Sequence, residues 1–441
     1  MEIDCDFMVS AIIFDYTKKN FYSLAPLVAT LDDINEFQNL DILLEENLSS
    51  LRIRKLLDKY EKLIIAFSFR TAQFEDIYFR MKAIYSSLRK SELDRITFIS
   101  GGSHPSGSPY TTLKSGFDFA FVGEAEYSLT EFIRHFIQND DLYKTPGISF
   151  LVDGKLTLTP RPDPIILDDY PFLSKKRRLY PPLEISRGCS FGCTFCQVPG
   201  LFQHRTRHRS PEVVLDVIKW MGTMRLNDIR FITPNSFGYL SSKPKEVNTE
   251  AIITLLSSIK STPGIDNVYF GTFPGEVRPE TVSRGLMRDL KPIISNSRIS
   301  IGLQSGSDKV LKDIRRGHTV EEGVNAIEIL DEIGFIPIVD IIIGLPTATE
   351  EDEMETIKVI QHLIQRNSII RAHVFMPLPG TNLENTKFKP VYPKIRKILG
   401  KLSSQGKVEG NWSHQEKYAL NAWELNQRII DLPPIQREDN P

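Results

Sequence analysis

The sequence predicts an α/β protein built from an N-terminal doubly wound parallel sheet, a partial (β/α)6 barrel and a helical C-terminal tail. Three observations predict it. Short apolar runs alternate with amphipathic stretches from residue 7 to residue 138, and again from 183 to 375; this is the pattern of parallel strands joined by crossover helices. A joint rich in proline and turn residues separates the two series. Three of the four cysteines lie together directly after the first apolar run of the second series.

In the first series, strands are read at 7–14, 41–44, 63–67, 96–99 and 117–122, and helices at 21–31, 50–60, 74–88, 110–114 and 125–138. A sheet of this kind binds its ligand at the carboxyl ends of the strands. Candidate binding residues follow three of them: Ser68, Arg70, Thr71 and Gln73 after the third, Gly101, Gly102, His104 and Pro105 after the fourth, and Gly123 and Glu124 after the fifth. Glycines let a backbone approach a large flat ligand, and hydroxyl and amide groups suit a ligand rimmed with amides. No G-x-G-x-x-G follows a strand, which disfavours a dinucleotide. The loop after the first strand runs from Asp15 to Asn20 and holds no histidine. A degenerate domain that binds nothing is the alternative.

In the joint, Asp153-Gly154 between apolar runs signals a hairpin. Residues 160–164 read as an extended linker. The basic run 175–178 reads as a solvated face, with an acidic partner as the alternative. The expected divisions are 1–145, 146–182, 183–385 and 386–441.

In the second series, the first strand is read at 183–186, with the cysteines in the loop at its carboxyl end, where α/β barrels carry their sites. Further strands are read at 229–232, 268–270, 298–303, 336–343 and 369–375, with helices between them and Ser210 and Asn248 as N-caps. Cys189, Cys193 and Cys196 are spaced C-x3-C-x2-C. A structural zinc wants four ligands, whereas three thiolates suit an iron–sulfur cluster with one iron left open. A zinc loop or chance clustering is the bland alternative. Cys5 is read as a structural thiol at the start of the first strand. The basic patch 204–209 is balanced between anchoring a carboxylate and plain exposure. Helices are expected at 393–399 and 416–430. Trp412, His414, Tyr418 and Trp423 would line a cleft or simply pack, and residues 432–441 are expected to be disordered.

Composition excludes little. The formal charge of −2 gives no polyelectrolyte signal, so bulk nucleic-acid binding is not expected. No apolar run is long enough to span a membrane, and the acidic start lacks a signal peptide's features. A cytoplasmic monomer is expected.

The stretch Glu184-Ile-Ser-Arg-Gly-Cys189-Ser-Phe-Gly-Cys193-Thr-Phe195-Cys196 resembles the motif of the radical S-adenosylmethionine (SAM) enzymes, with Phe195 as the aromatic before the last cysteine. The resemblance implies a 4Fe–4S cluster on the three cysteines, with the open iron chelating SAM. It also implies that Gln304, Ser305 and Arg316 contact the methionyl and ribose parts, Arg316 pairing the carboxylate bidentately. Glu276 would bond ribose hydroxyls and the loop after Gly344 would touch adenine. Asn235 stands in Thr-Pro-Asn where the family has Gly-Gly-Glu, so the SAM amine contact is left open.

The Gly-Gly-x-His-Pro loop and the later Gly-Phe-Asp and Val-Gly-Glu-x-Glu pieces resemble the cobalamin-binding domain that precedes the barrel in many of these enzymes. The first-series residues named above would then bind cobalamin. With no histidine after the first strand, the lower cobalt face would not be His-ligated, and His104 would line the pocket. Together these features imply a cobalamin-dependent radical SAM C-methyltransferase acting on an unactivated sp3 carbon. The segment Glu184–Ser210 resembles an archaeal subfamily that includes the methyl-coenzyme M reductase glutamine C-methyltransferase. That implies a protein or peptide substrate, alongside an external one-electron reductant. The rivals are a small-metabolite methylase, a cyclising or rearranging enzyme, and an iron–sulfur protein without turnover. A tRNA methylthiolating enzyme would want three further N-terminal cysteines, and only Cys5 is available.

Overall fold

The computed structural model describes residues 10–46 and 48–437; Cys5 and the start of the first expected strand lie outside them. The chain divides into two compact units, Met1–Pro181 with Leu378–Gly380 and Asn421–Pro441, and Pro182–Pro377 with Thr381–Leu420.

The first unit is built on β1 Ser10–Tyr16, β2 Asp41–Glu46, β3 Lys62–Ser68, β4 Ile96–Gly101, β5 Phe119–Phe121, β6 Ile148–Val152 and β7 Lys155–Leu158. They form one sheet in the order β2-β1-β3-β4-β5-β6-β7. The first five are parallel, and β6 and β7 are antiparallel additions. Successive residues of β1 feed opposite faces. Ile12 and Phe14 join a core with Ile64 and Ile99, while Ala11 and Ile13 join one with Ile65 and Phe98. A strand covered on both faces has to be apolar at every position, which is why β1 and β3 read as continuous runs rather than alternating ones. The strand order reverses between β1 and β3, and that switch point is where doubly wound sheets open a crevice.

Three expectations for this unit need correction. The hairpin at 148–158 is not part of a joint: it extends the sheet, with Phe121 opposite Ile148, and Asp153 and Gly154 take the positive φ that its tight turn requires. The basic run is not wholly a solvated face. Lys175, Lys176 and Arg178 are exposed, but Arg177 is spent on Asp32 (2.9 Å) and the Ile42 carbonyl (2.7 Å). Residues 432–437, expected to be disordered, are ordered. Ile435 N–H donates to the Lys114 carbonyl (2.9 Å), and Arg437 pairs with Asp118 (2.8 Å).

The second unit holds β8 Leu183–Glu184, β9 Ser186–Arg187, β10 Arg207–His208, β11 Asp228–Ile232, β12 Asn267–Tyr269, β13 Arg298–Gln304, β14 Ile336–Ile343, β15 Ile369–Val374 and β16 Val408–Glu409. The parallel runs β12-β11-β8 and β13-β14-β15-β16 are linked by the parallel bridges Thr233–Gly275 and Val277–Ile301. The barrel is therefore partial, as expected, but it carries a further strand. β16 pairs with β15 through only two residues, too short to show a period in the sequence. The first expected strand is split: β8 continues the barrel, whereas β9 turns aside to pair antiparallel with β10. Ser210 and Asn248 cap their helices as expected, accepting from Val213 and Ala251 N–H. The tail helices Pro393–Ser404 and Trp412–Asp431 run longer than their periodicity suggested. Trp412 is buried and donates to Ser403, so it packs, while His414 and Tyr418 are exposed. Among the described residues no helix is long and apolar enough to cross a membrane.

Candidate active site

The cysteine loop leaves β9 through Gly188. Its φ is +81°, and a Cβ there would lie 2.0 Å from the Arg205 carbonyl oxygen. Only glycine lets the returning strand β10 lie against this turn. The basic patch is what builds that return. His208 Nδ1 meets Ser186 Oγ at 2.8 Å, and the fully buried Arg209 donates through Nε to the Glu184 carbonyl (2.9 Å). Glu184 in turn accepts two bonds from Arg187, both 2.8 Å. The patch is thus neither a carboxylate anchor nor plain surface at its inner end; at its outer end His204 and Arg205 remain exposed.

The three cysteines are free thiols and line one cavity of about 260 Å³ with Phe191, Phe195, Glu276, Arg278, Gln304 and Arg316. The loop is tied down by Thr194 N–H on the Ile314 carbonyl (3.0 Å) and Cys196 N–H on the Cys193 carbonyl (3.1 Å). Two guanidinium groups converge on Cys193 Sγ, Arg316 Nη1 at 3.6 Å and Arg278 Nη1 at 3.8 Å. Burial pushes the Cys196 thiol up to about 11 and raises that of Cys189, against the pull of Arg316 and, at Cys189, also of Arg278. Thiols held protonated in this way are poor nucleophiles, and they suit a metal centre that displaces their protons on binding.

These residues fit an iron–sulfur cluster. Three soft donors face one space, and two buried cations offset the charge the thiolates would bring. Among the described residues no three His, Cys, Asp or Glu side chains converge on a single ion; a cubane instead takes each thiolate on a different iron. Arg278 was not singled out from the sequence, where nothing sets one arginine apart. Its placement comes from tertiary contacts: Nε to Glu280 (2.6 Å), the guanidinium stacked 3.5 Å over the Phe191 ring, and its backbone N–H on Asn235 Oδ1 (3.2 Å).

Of the residues assigned to SAM, Phe195, Glu276, Gln304 and Arg316 line the cavity, whereas Asn235, Ser305 and Gly344 do not. Asn235 lines a neighbouring pocket and positions Arg278. Ser305 is buried, 3.2 Å from Thr356 Oγ1, and accepts from Ser307 N–H. Gly344 N–H is spent on Glu353 (2.7 Å). Arg316 is placed differently from the expected bidentate clamp. Nε and Nη2 both donate to the Gly302 carbonyl (3.2 and 2.7 Å), which leaves Nη1 turned toward the thiol. Gln304 reaches the cavity because it takes φ +78° at the bulge where the β13–β14 register shifts.

Beside the cavity, Arg371 joins two carboxylates, with Nη2 3.1 Å from Glu276 and a fork on Asp340. His373 Nε2 meets Asp340 (3.3 Å), and Gln415 Nε2 meets His373 Nδ1 (3.2 Å). Val374 N–H holds the Gln415 oxygen (3.1 Å), so the amide must offer its NH2 to the imidazole. His373 is thereby set as the Nε2–H tautomer. Glu276 lines the cavity with 41 % of its side-chain surface open. Burial and the Asp340 charge push its carboxyl up to about 7 against the pull of Arg371.

In the first unit, the expected cobalamin residues gather at the carboxyl ends of β3, β4 and β5, but not all of them face outward. Gly102 has φ +98°, and a Cβ would lie 2.8 Å from the Phe69 carbonyl oxygen. Glycine at Gly102 is thus required by the close packing of the β3 and β4 loops, and the Cβ position at Gly123 is filled by the Arg161 guanidinium. Arg70 is exposed, and Glu124 is partly so. His104 corrects the pocket-lining expectation: it is fully buried, its ring 3.9 Å from that of Phe74, with Nδ1 3.3 Å from Thr71 Oγ1 and no partner for Nε2. It supports the loop from within, as do the buried Thr71 and Pro105. Ser68 is buried against Ser23 (2.9 Å), and Gln73 accepts from Arg70 N–H (3.2 Å). At the end of β1, Asp15 is buried on Arg80 (2.6 Å), and in the loop that follows Asn20 bonds to the Ser68 carbonyl (3.2 Å).

The comparisons with known proteins bear on both units. Residues 183–360 match the model of the radical SAM superfamily. A tRNA-2-methylthio-N(6)-dimethylallyladenosine synthase of Sulfurihydrogenibium sp. is 27 % identical over 273 residues, 59 % of each chain. The chain spans 44–59 % of the length of the first curated relatives it matches. Among solved structures, the cobalamin-dependent SAM radical enzyme OxsB, with aqua-cobalamin and SAM bound, aligns with a TM-score of 0.63 at 18 % identity. That match covers 80 % of this chain and 52 % of the other. The radical SAM methyltransferase TsrM from Kitasatospora setae, with cobalamin and a [4Fe-4S] cluster bound, aligns with a TM-score of 0.64 at 14 % identity, over 85 % and 74 %. At these identities the structural matches establish the fold, and they extend well beyond the segment of the family match.

Proposed function

We propose that the protein is a cobalamin-dependent radical SAM C-methyltransferase acting on an unactivated sp3 carbon. The observation that carries this reading is the single cavity shared by three free thiols and two buried guanidinium groups, in a chain whose first unit has the doubly wound form. When bound, the cluster and SAM supply one-electron cleavage to a carbon radical, and cobalamin supplies the methyl group.

Each residue has its part. Cys189, Cys193 and Cys196 hold the irons. Arg278 and Arg316 offset the charge around Cys193. Phe191 and Phe195 supply aromatic walls to the cavity. Glu276, titrating near neutrality, hydrogen-bonds hydroxyl groups of the bound cofactor whether protonated or not. The loops after β4 and β5, with Gly101, Gly102 and Gly123, would hold the corrin.

The substrate is a protein or peptide residue, with a glutamine of methyl-coenzyme M reductase as the specific candidate; a small metabolite is the alternative. The names of the first relatives favour one further reading, methylthiolation of tRNA. Against it, Cys5 is the single cysteine outside the motif, so a second cysteine-held cluster has no ligand set. A cytoplasmic monomer served by an external one-electron reductant completes the proposal.

Metal analysis of protein reconstituted anaerobically with hydroxocobalamin tests it. About four irons and about one cobalt per chain are expected. Incubation with methyl-deuterated SAM should then place label in a glutamine-bearing peptide rather than in tRNA. Iron without retained cobalt, or label in tRNA, overturns the proposal.

A further inference from the structure

A second pocket lies against the cysteine loop. It has a volume of about 180 Å³ and is lined by hydroxyl groups and a lysine, including Ser190, Thr206, Ser241 and Lys243. Cys189 and Phe191 line both this pocket and the cluster cavity. Cys193 and Cys196 face the inner cavity alone. Of the three thiols, Cys189 is therefore the one with a polar, water-accessible space on its outer side. Ser241 Oγ is buried there without a hydrogen-bond partner, and Ser190 is bonded to Thr206 (3.0 Å).

The rim is cationic. Lys243 is exposed, and Arg205, whose carbonyl packs on Gly188 next to Cys189, has an exposed side chain. Lys245 reaches from the same rim to the Gly317 carbonyl (2.5 Å), beside exposed Arg315. The local counter-charge is Glu246, paired with Lys243 at 2.8 Å. A cluster cleaving SAM reductively has to receive one electron from outside for each cleavage, and the outer side of Cys189 offers a way in.

We propose that this rim is where the electron donor docks, and that the donor is a small acidic one-electron carrier protein. The carrier is oxidised by one electron and the cluster is reduced by one; no proton or bond is exchanged. The inference rests on the cluster assignment of the proposed function. Charge complementarity selects the partner: long-range attraction between an acidic carrier and the Arg205–Lys243–Lys245 rim speeds encounter and is screened by salt.

The test uses the full reconstituted chain and follows bleaching of the cluster absorbance by stopped flow, without turnover. The donors are a reduced acidic [2Fe–2S] ferredoxin and, separately, the methyl viologen radical cation. In the variant Arg205→Glu/Lys243→Glu the ferredoxin rate should fall about tenfold or more at low salt and converge with the wild type at high salt. The viologen rate should stay level or rise. Lys358→Glu, an exposed charge on the helix Glu350–Ile364, should change neither. An unchanged ferredoxin rate, or equal slowing of both donors, overturns the proposal. Failure of the cluster assignment itself would show separately, as wild-type protein without iron–sulfur absorbance.

Discussion

At the residue scale, burial decides which candidates act and which merely support. His104 is the sharpest case. Its loop position made it look like a ligand contact, yet its ring is sandwiched among aromatics, and burial holds it down to about 3, hence neutral. The unfolded chain takes up a proton as pH falls through the ordinary histidine value of 6.5, while the native state does not. Stability is therefore lost from 6.5 downward, by up to about 1.4 kcal/mol per pH unit, until about 3. His104→Phe should flatten that limb in denaturant titrations between pH 6.5 and 4; an unaltered slope would exclude the assignment. Glu276 works in the opposite sense. Its carboxyl is raised to about 7, so the native state retains a proton that the unfolded chain releases from its ordinary value upward. Relative to Glu276→Gln, the wild type should lose melting temperature from pH 5 to pH 8, and a constant difference would refute the shift. What was legible here was the thiolate set, since soft donors at C-x3-C-x2-C leave few readings. Arg278 and the Asp340–Arg371–His373 group were not legible, because nothing local marks a charged side chain that tertiary contacts will bury.

At the element scale, strands buried on both faces were the easiest to read, because a short continuous apolar run bounded by turn residues seldom forms anything else. β14 was expected at 336–343 and is found at Ile336–Ile343. The misses were two-residue elements. β9, β10 and β16 carry no periodicity, and β9–β10 pairing is set by a glycine and by Arg209 anchored on Glu184 rather than by apolar pattern. That dependence is testable. Gly188→Ala adds a Cβ 2.0 Å from a backbone oxygen at a φ of +81°, where an L-residue already costs about 1–2 kcal/mol. Relief of the clash has to separate β10 from β9 and displace Cys189, the next residue. Reconstituted Gly188→Ala should retain less than about half of the wild-type iron while far-UV circular dichroism is unchanged; full iron content would show that the turn does not position the ligand.

At the scale of the whole molecule, each unit has its own apolar cores, and the chemistry assigned to them is different. The first offers glycine-rimmed strand ends and no thiol among its described residues; the second offers three thiols and two buried guanidinium groups. On that division the two cofactors should be removable independently. Cys193→Ala takes away the ligand that both arginines face and leaves the first unit's strand ends untouched. Gly102→Val sets a side chain at a φ of +98° with its Cβ within 2.8 Å of the Phe69 carbonyl oxygen, which displaces the loops at the ends of β3 and β4. Each substitution removes a residue of one unit only, so the expected pattern is crossed. Cys193→Ala should lose most of its iron and its visible iron–sulfur band while retaining cobalt. Gly102→Val should retain iron and lose most of its cobalt. Both contents are read from one elemental analysis after gel filtration, and melting curves confirm that each variant is folded. Loss of both metals in either variant would mean that one unit does not hold its cofactor without the other, and the assignment of separate sites would fall. Cobalt absent from both variants and from the wild type would leave the iron site standing and remove cobalamin from the function.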